Sequence, residues 1–217
     1  MGNFLTGIRP AVDGRPARRK LIAAALVFLL GVGLGILSKY LDENHAELPE
    51  IFRMLDEQLD LHNFLGGLSP WIVLAVSLAA YSKTPAQAAA HVFVFFVGMV
   101  GSYYLYSKYI AGFFPRHYAM IWFGLTAVSP VLAVLCWYAR GTRKTAVILS
   151  ACILAVLINT AFAYGFFYVS VRSALDLAML IIGIFVLRRS PGETGAMLCG
   201  AVPIAVALHM LLPFSLG

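Results

Sequence analysis

Residues 21–37 carry no charged or hydrogen-bonding side chain, only Leu, Ile, Val, Ala, Phe and Gly. A run of this kind is stable in few surroundings. Crossing a hydrocarbon core about 30 Å thick takes roughly 20 apolar residues in a helix, and a helix satisfies every backbone N–H and C=O without water. Further apolar runs follow at about 63–82, 86–110, 117–139, 145–164, 170–187 and 194–213, and together the seven take up about two thirds of the 217 residues. The fold class predicted is all-α, a polytopic transmembrane bundle of about seven helices. Residues 1–20 form a basic cytoplasmic tail, and 21–217 form one transmembrane domain. Only 12% of the residues are charged, against roughly 25% in a soluble domain, so no part of the chain supplies the polar surface of a soluble enzyme module.

Lys and Arg set the orientation. With the N-terminus inside, eleven of them fall on cytoplasmic segments (Arg9, Arg15, Arg18, Arg19, Lys20, Lys83, Arg140, Arg143, Lys144, Arg188, Arg189) and five outside (Lys39, Arg53, Lys108, Arg116, Arg172). The bias favours a multi-pass protein of the cytoplasmic membrane with its N-terminus inside and, after seven spans, Gly217 outside. The net charge of +6 thus reflects topology, and no nucleic-acid partner is expected; membrane lipids and a membrane-protein partner are. Pro10, Gly14 and Pro16 interrupt the basic tail, which reads as a mobile segment attracted to anionic lipid. The first run ends in Ser38-Lys39-Tyr40 rather than a small-x-small cleavage site, so it is a retained anchor. Residues 1–6 fit a myristoylation pattern only formally.

The longest connection, 41–62, carries seven acids, and Leu48, Ile51, Phe52, Leu55 and Leu59 recur in it at helical spacing behind Pro49 and Glu50. A short amphipathic helix on the outer membrane surface is predicted, as a lid or as a plain connector. His62 with Ser69-Pro70 and His117 with Ser129-Pro130 form a weak echo of a duplicated hairpin, although their offsets of 55 and 60 residues differ.

An ionisable group inside a membrane is costly, by some 2.5–3.5 kcal/mol on insertion scales, and so marks a candidate site. Asp176 is the only acid inside an apolar run, and Arg172 stands four residues before it, an expected pair on one helical face. Ser102, Tyr106 and Lys108 crowd one end of their span, and Tyr103 and Tyr109 fit an aromatic interfacial belt. Asn159, Tyr164, Lys39 and Tyr40 lie toward the same leaflet. The predicted ligand-binding set is Asp176, Arg172, Lys108, Ser102, Tyr106, Asn159 and Lys39, lining an outward-opening pocket; a purely structural Arg172–Asp176 pair stands beside it. The spacing Gly31-x-x-x-Gly35 and Gly98-x-x-x-Ser102 predicts close helix contacts. Pro130 and Pro203 should bend their helices.

No catalytic residue, cofactor or metal is expected. His45, His62, His91, His117 and His209 lack a second ligand at i+4, there is no HExxH or GxSxG sequence, and Cys136, Cys152 and Cys199 form no CxxC. The stretch from Phe95-Phe96-Val97-Gly98-Met99 through Ser102-Tyr103-Tyr104-Leu105-Tyr106-Ser107 to Gly112-Phe113-Phe114-Pro115 and Trp122-Phe123 resembles a family of small uncharacterised bacterial polytopic membrane proteins. The resemblance covers the central half of the chain and implies a bacterial cytoplasmic membrane, with no activity. Three function classes stay open: a binder of a small solute or lipid headgroup in an outer-leaflet cavity, as a transporter or transporter component; a non-catalytic membrane partner or regulatory subunit; and an intramembrane lipid-modifying enzyme using Asp176 or a histidine as acid or base.

Overall fold

A computed structural model of the chain describes residues 7–44, 49–165 and 167–211, with backbone alone for Ile51 and Phe52. Readings that rest on residues 1–6, His45, Glu47, Leu48, the side chains of Ile51 and Phe52, and the chain end beyond Leu211 lie outside the described residues. The described chain holds nine helices: α1 (Ala17–Asn44), α2 (Glu50–Leu59), α3 (Leu61–Gly66), α4 (Ser69–Tyr81), α5 (Pro85–Tyr109), α6 (Arg116–Ala139), α7 (Lys144–Ala161), α8 (Ala174–Leu187) and α9 (Pro191–Leu211). One hairpin, β1 (Phe162–Tyr164) and β2 (Val169–Val171), lies between α7 and α8.

Each of the seven predicted runs contains a helix, but they are not equivalent. Helices α1, α5, α6, α7 and α9 are long and apolar enough to cross a membrane. Helices α4 and α8 are apolar but have only 13 and 14 residues, which at 1.5 Å per residue reach about 20 Å, short of a core about 30 Å thick. The described residues thus hold five helices long and apolar enough to span a membrane, the pattern of a multi-pass helical membrane protein.

Three boundaries move, each for a local reason. The first helix runs on past the apolar stretch to Asn44, because Lys39, Asp42 and Glu43 pair along its last turns. The run 63–82 breaks between α3 and α4 at Gly67-Leu68, where Gly66-Gly67 weakens the helix and Pro70 suits a new first turn. The runs 145–164 and 170–187 lose their facing ends to the hairpin, an antiparallel pair with Phe162 opposite Val171 and Tyr164 opposite Val169. β-Branched and aromatic residues favour strand there, and Gly165 N–H donates to Tyr168 O at 2.9 Å across the turn.

The chain forms two compact units: Val12–Gly66 with Ser82–Val134, and Met1–Ala11 with Gly67–Tyr81 and Leu135–Gly217. In the first, α1 and α5 pack side by side and parallel, Gly31 against Phe95 and Gly35 against Met99. Added methyl groups would strike backbone: at Gly98 a Cβ would stand 2.6 Å from Phe28 O. Ser102 Oγ donates to Val32 O at 3.0 Å across the same seam, so the small-residue spacing is used for close approach. In α6, Pro130 has no N–H to offer the carbonyl of Thr126, and Ser129 Oγ donates to that carbonyl instead, at 2.8 Å. The echo therefore does not hold in three dimensions, since Ser69-Pro70 opens a helix and Ser129-Pro130 lies inside one.

The second unit has its core among α4, α7, α8 and α9, with Leu154, Leu157, Leu187 and Met197 wholly buried. Gly183 lets Leu157 pack onto α8. Helices α7 and α9 run parallel, joined by Asn159 Nδ2 donating to Ala205 O at 3.0 Å.

The described part of the basic tail is not loose, contrary to the mobile reading. Ile8 is buried, its carbonyl accepts from Thr142 N at 3.0 Å, and Arg9 donates to Trp137 O and Ala80 O at 2.8 and 2.9 Å. In the other unit Asp13 accepts from the backbone and guanidinium of Arg15, both at 3.0 Å, pairs with Lys20 at 3.1 Å and accepts from Gln87 Nε2. The hydrogen bond from the Arg15 backbone, with the neighbouring cations, holds the Asp13 carboxyl well below its ordinary pKa. Composition suggested mobility; specific partners for Ile8, Arg9 and Asp13 supply the fixation.

Candidate functional site

The predicted ligand set divides between the units. Lys39, Ser102, Tyr106 and Lys108 belong to the one built on α1 and α5, and Asn159, Arg172 and Asp176 to the other.

In the first unit the most unusual group is Lys39. Its side chain is 7% exposed, and its Nζ lies 2.7 Å from Asp42 Oδ2 and 3.1 Å from Glu43 Oε2, both of which are about half exposed. The spacing i, i+3 and i, i+4 on one helix brings all three together. Tyr103 of α5 completes the group: its hydroxyl donates to Asp42 Oδ2 at 3.3 Å, and its ring centre lies 5.7 Å from the ammonium. Behind it Tyr104 is packed edge-on against Tyr103 and tilted against Phe114 and Phe123. The Tyr104 hydroxyl is buried with no hydrogen-bond partner among the described residues, an arrangement that costs on the order of 1–3 kcal/mol. Nearby ties are structural: Ser38 Oγ donates to Leu65 O and Tyr118 Oη to Gly66 O, at 3.3 and 3.1 Å.

The other predicted members of this unit play lesser parts. Ser102 is engaged in the helix seam through Val32 O and Met99 O. Lys108 is exposed over the ring of Tyr109 at 5.2 Å, and Tyr106 is half-buried one turn from the end of α5. On the amphipathic helix, Asp56 is buried and accepts from His62 N at 3.0 Å, with its other oxygen 2.8 Å from His62 Nδ1. This fixes the sharp turn in which Asp60 adopts φ 53°.

In the second unit, Asp176 lies in the first turn of α8, not two turns inside it, and Arg172 precedes the helix. The one-helix face expected for the two is therefore replaced by a strand-to-helix junction capped by Ser173, whose Oγ accepts from Leu175 N at 3.1 Å. Arg172 closes the hairpin, its backbone N–H donating to Ala161 O at 2.9 Å and its Nε to Phe162 O at 3.2 Å. Asp176 accepts a hydrogen bond from the buried Ser69 Oγ, so the first turns of the two short helices meet at this carboxylate, where a helix N-terminus favours negative charge. Asn159 is fully occupied: its Nδ2 donates to Ala155 O and Ala205 O, both at 3.0 Å, and its Oδ1 accepts from Tyr164 Oη at 2.8 Å. The Tyr164 ring lies 4.7 Å from that of His209.

The sequence reading missed Asp42, Glu43, Tyr103 and Ser69 as members of these clusters. Lys39-x-x-Asp42-Glu43 was available as a helical-spacing signal once α1 was carried beyond residue 37. The Ser69–Asp176 contact, 107 positions apart, had no local signal. Among the described residues, no three His, Cys, Asp or Glu side chains are grouped to hold a metal.

Comparison with family models, curated proteins and solved structures returns no match for this chain. A functional reading therefore stands on the two clusters alone.

Proposed function

We propose that this is a multi-pass protein of a bacterial cytoplasmic membrane, N-terminus inside, that binds a small solute or lipid headgroup in the outer half of its bundle as a transporter or transporter component. In this reading the Lys39 end of α1 faces outward, and α2 lies on the outer surface. Lys39 carries the proposal. A lysine ammonium is strongly hydrated and rarely buried; this one is removed from water at the end of a transmembrane helix between two half-exposed carboxylates.

One cation and two carboxylates leave the cluster with a net negative charge, and the Tyr103 ring adds a face that attracts cations. The unpartnered Tyr104 hydroxyl lies behind that face. Such a site selects an amine: a small amine-bearing solute, or the ethanolamine head of a phospholipid. The parallel α1–α5 seam beneath gives it a rigid floor, which lowers the ordering cost of binding.

The test is calorimetric titration of the detergent-purified protein with ethanolamine and with phosphoethanolamine, for the wild type and for Asp42→Asn/Glu43→Gln. Binding to the wild type and its loss in the double variant are expected. Absence of binding together with a stoichiometric second polypeptide after purification would replace this proposal with the partner-subunit reading.

A further inference from the structure

The end of the second unit where α4, α6 and α8 finish and α7 and α9 begin gathers positive charge with little to balance it. Segments 7–9, 139–144 and 188–194 bring Arg9, Arg140, Arg143, Lys144, Arg188 and Arg189 against a single carboxylate, Glu193. These segments are in mutual contact. Arg9 spans the carbonyl ends of α4 and α6 through Ala80 O and Trp137 O and stacks on the Trp137 ring at 4.4 Å. Arg140 covers the Tyr81 ring at 4.4 Å. Arg143 lies on the backbone of Gly7, where an added Cβ would come within 2.5 Å of Nη2. Arg189 donates to Ala139 O.

Helix C-terminal carbonyls account for two of these cations, since they attract positive charge. Among the described residues, Arg140, Arg143, Lys144 and Arg188 form no ion pair, so the rest of the positive charge is left unmatched there. Burial, and the charge of Arg140, lower the pKa of Arg9; burial likewise lowers that of Arg189, with Glu193 opposing. Both remain guanidinium ions, so the repulsion persists. A second observation points to an acceptor: among the described residues, Arg189 Nε and Nη1 are buried and have no hydrogen-bond partner. A charged donor left without an acceptor costs more than a neutral one.

We propose that this end binds the phosphate of an anionic phospholipid headgroup, with the exposed Arg143 and Lys144 as its donors and Arg189 joining them through a side-chain rotation that uncovers its buried Nε and Nη1. Arginine forks and a lysine ammonium suit phosphate oxygens. A lipid is the source favoured over free phosphate, because the donors flank the ends of membrane-length helices, at the level where headgroups lie. The exposed Tyr81 ring beside Arg140 fits that interfacial level. The site is distinct from the Lys39 cluster, has the opposite charge and does not depend on the amine reading.

The experiment is thermal unfolding of the full chain in neutral detergent micelles doped with phosphatidylglycerol, with phosphatidylcholine, or supplemented with inorganic phosphate. Phosphatidylglycerol at about 100 times its Kd should raise the Tm by about 5 °C or more, with phosphatidylcholine and phosphate far less effective. Arg143→Gln/Lys144→Gln changes two exposed side chains, so it should fold normally and lose at least half of the shift. Arg189→Lys, which keeps charge but not the planar fork, should lose part of it. Equal shifts from both lipids, an undiminished shift in the double variant, or a full effect of inorganic phosphate alone would each overturn the proposal.

Discussion

Gly98→Ala separates the packing reading of α1 and α5 from simple helix propensity. The new Cβ would stand 2.6 Å from Phe28 O and 3.1 Å from Val32 N, whereas an ordinary C···O contact is about 3.3 Å or more. The helices must part by about 0.7 Å there, since backbone cannot rotate away as a side chain would. The Ser102 Oγ to Val32 O bond, 3.0 Å long and four residues away, would stretch past about 3.5 Å and be lost. Overpacking costs typically 1–3 kcal/mol and an interhelical hydrogen bond in a membrane averages about 0.6, so a destabilisation of about 2–3 kcal/mol is expected. Gly33→Ala and Gly101→Ala are the controls, because a Cβ meets nothing within 4 Å at either position; helix propensity alone should leave them neutral or stabilised by up to about 1 kcal/mol. Reversible unfolding in mixed micelles measures all three. Equal stabilities for Gly98→Ala and Gly33→Ala, within about 0.5 kcal/mol, would refute the close approach of the two helices.

Ser129→Ala should destabilise by about 1 kcal/mol by orphaning the Thr126 carbonyl, and much less in a Pro130→Ala background, where a backbone N–H is restored; a double-mutant thermal cycle reads the difference. Asn159→Leu removes the acceptor of Tyr164 Oη and the donor to Ala205 O and should cost about 1–3 kcal/mol, measured by thermal unfolding. The tether at Asp13 depends on a carboxyl whose pKa is lowered in the fold, so its contribution is complete above the usual carboxylate range and lost as pH falls below it. Asp13→Asn should mimic the acid state at neutral pH, seen as faster deuterium exchange at residues 12–16, while the wild type loosens only in strong acid.

What could be read from the residues was whatever depends on periodicity and composition. The apolar runs locate the five helices long enough to cross a membrane and the two shorter apolar ones, α4 and α8, and the Gly31, Gly35 and Gly98 spacing marks the seam. The breaks at Gly67 and at the 162–171 hairpin were hidden, because apolar strand, loop and helix residues look alike in a hydropathy pattern. That confusion also placed Arg172 and Asp176 on one helix, and it concealed the shortness of α4 and α8. Hydropathy marks Lys39 but leaves its carboxylates in a loop, because a helix that ends in paired charges outlasts its hydrophobic stretch. Ser69 and Asp176 meet through tertiary packing, which one sequence without coupled positions does not encode legibly.

The proposed topology has α1 crossing the bilayer with the Lys39 cluster on the outer side. Its most direct test replaces Cys136, Cys152 and Cys199 by Ala and introduces Gly14→Cys or Gln58→Cys, both at exposed positions, for labelling of intact cells with a membrane-impermeant maleimide. Labelling of Gln58→Cys in intact cells, and of Gly14→Cys only after permeabilisation, is the expected result. Labelling of both from the same side, or the reverse pattern, would contradict it.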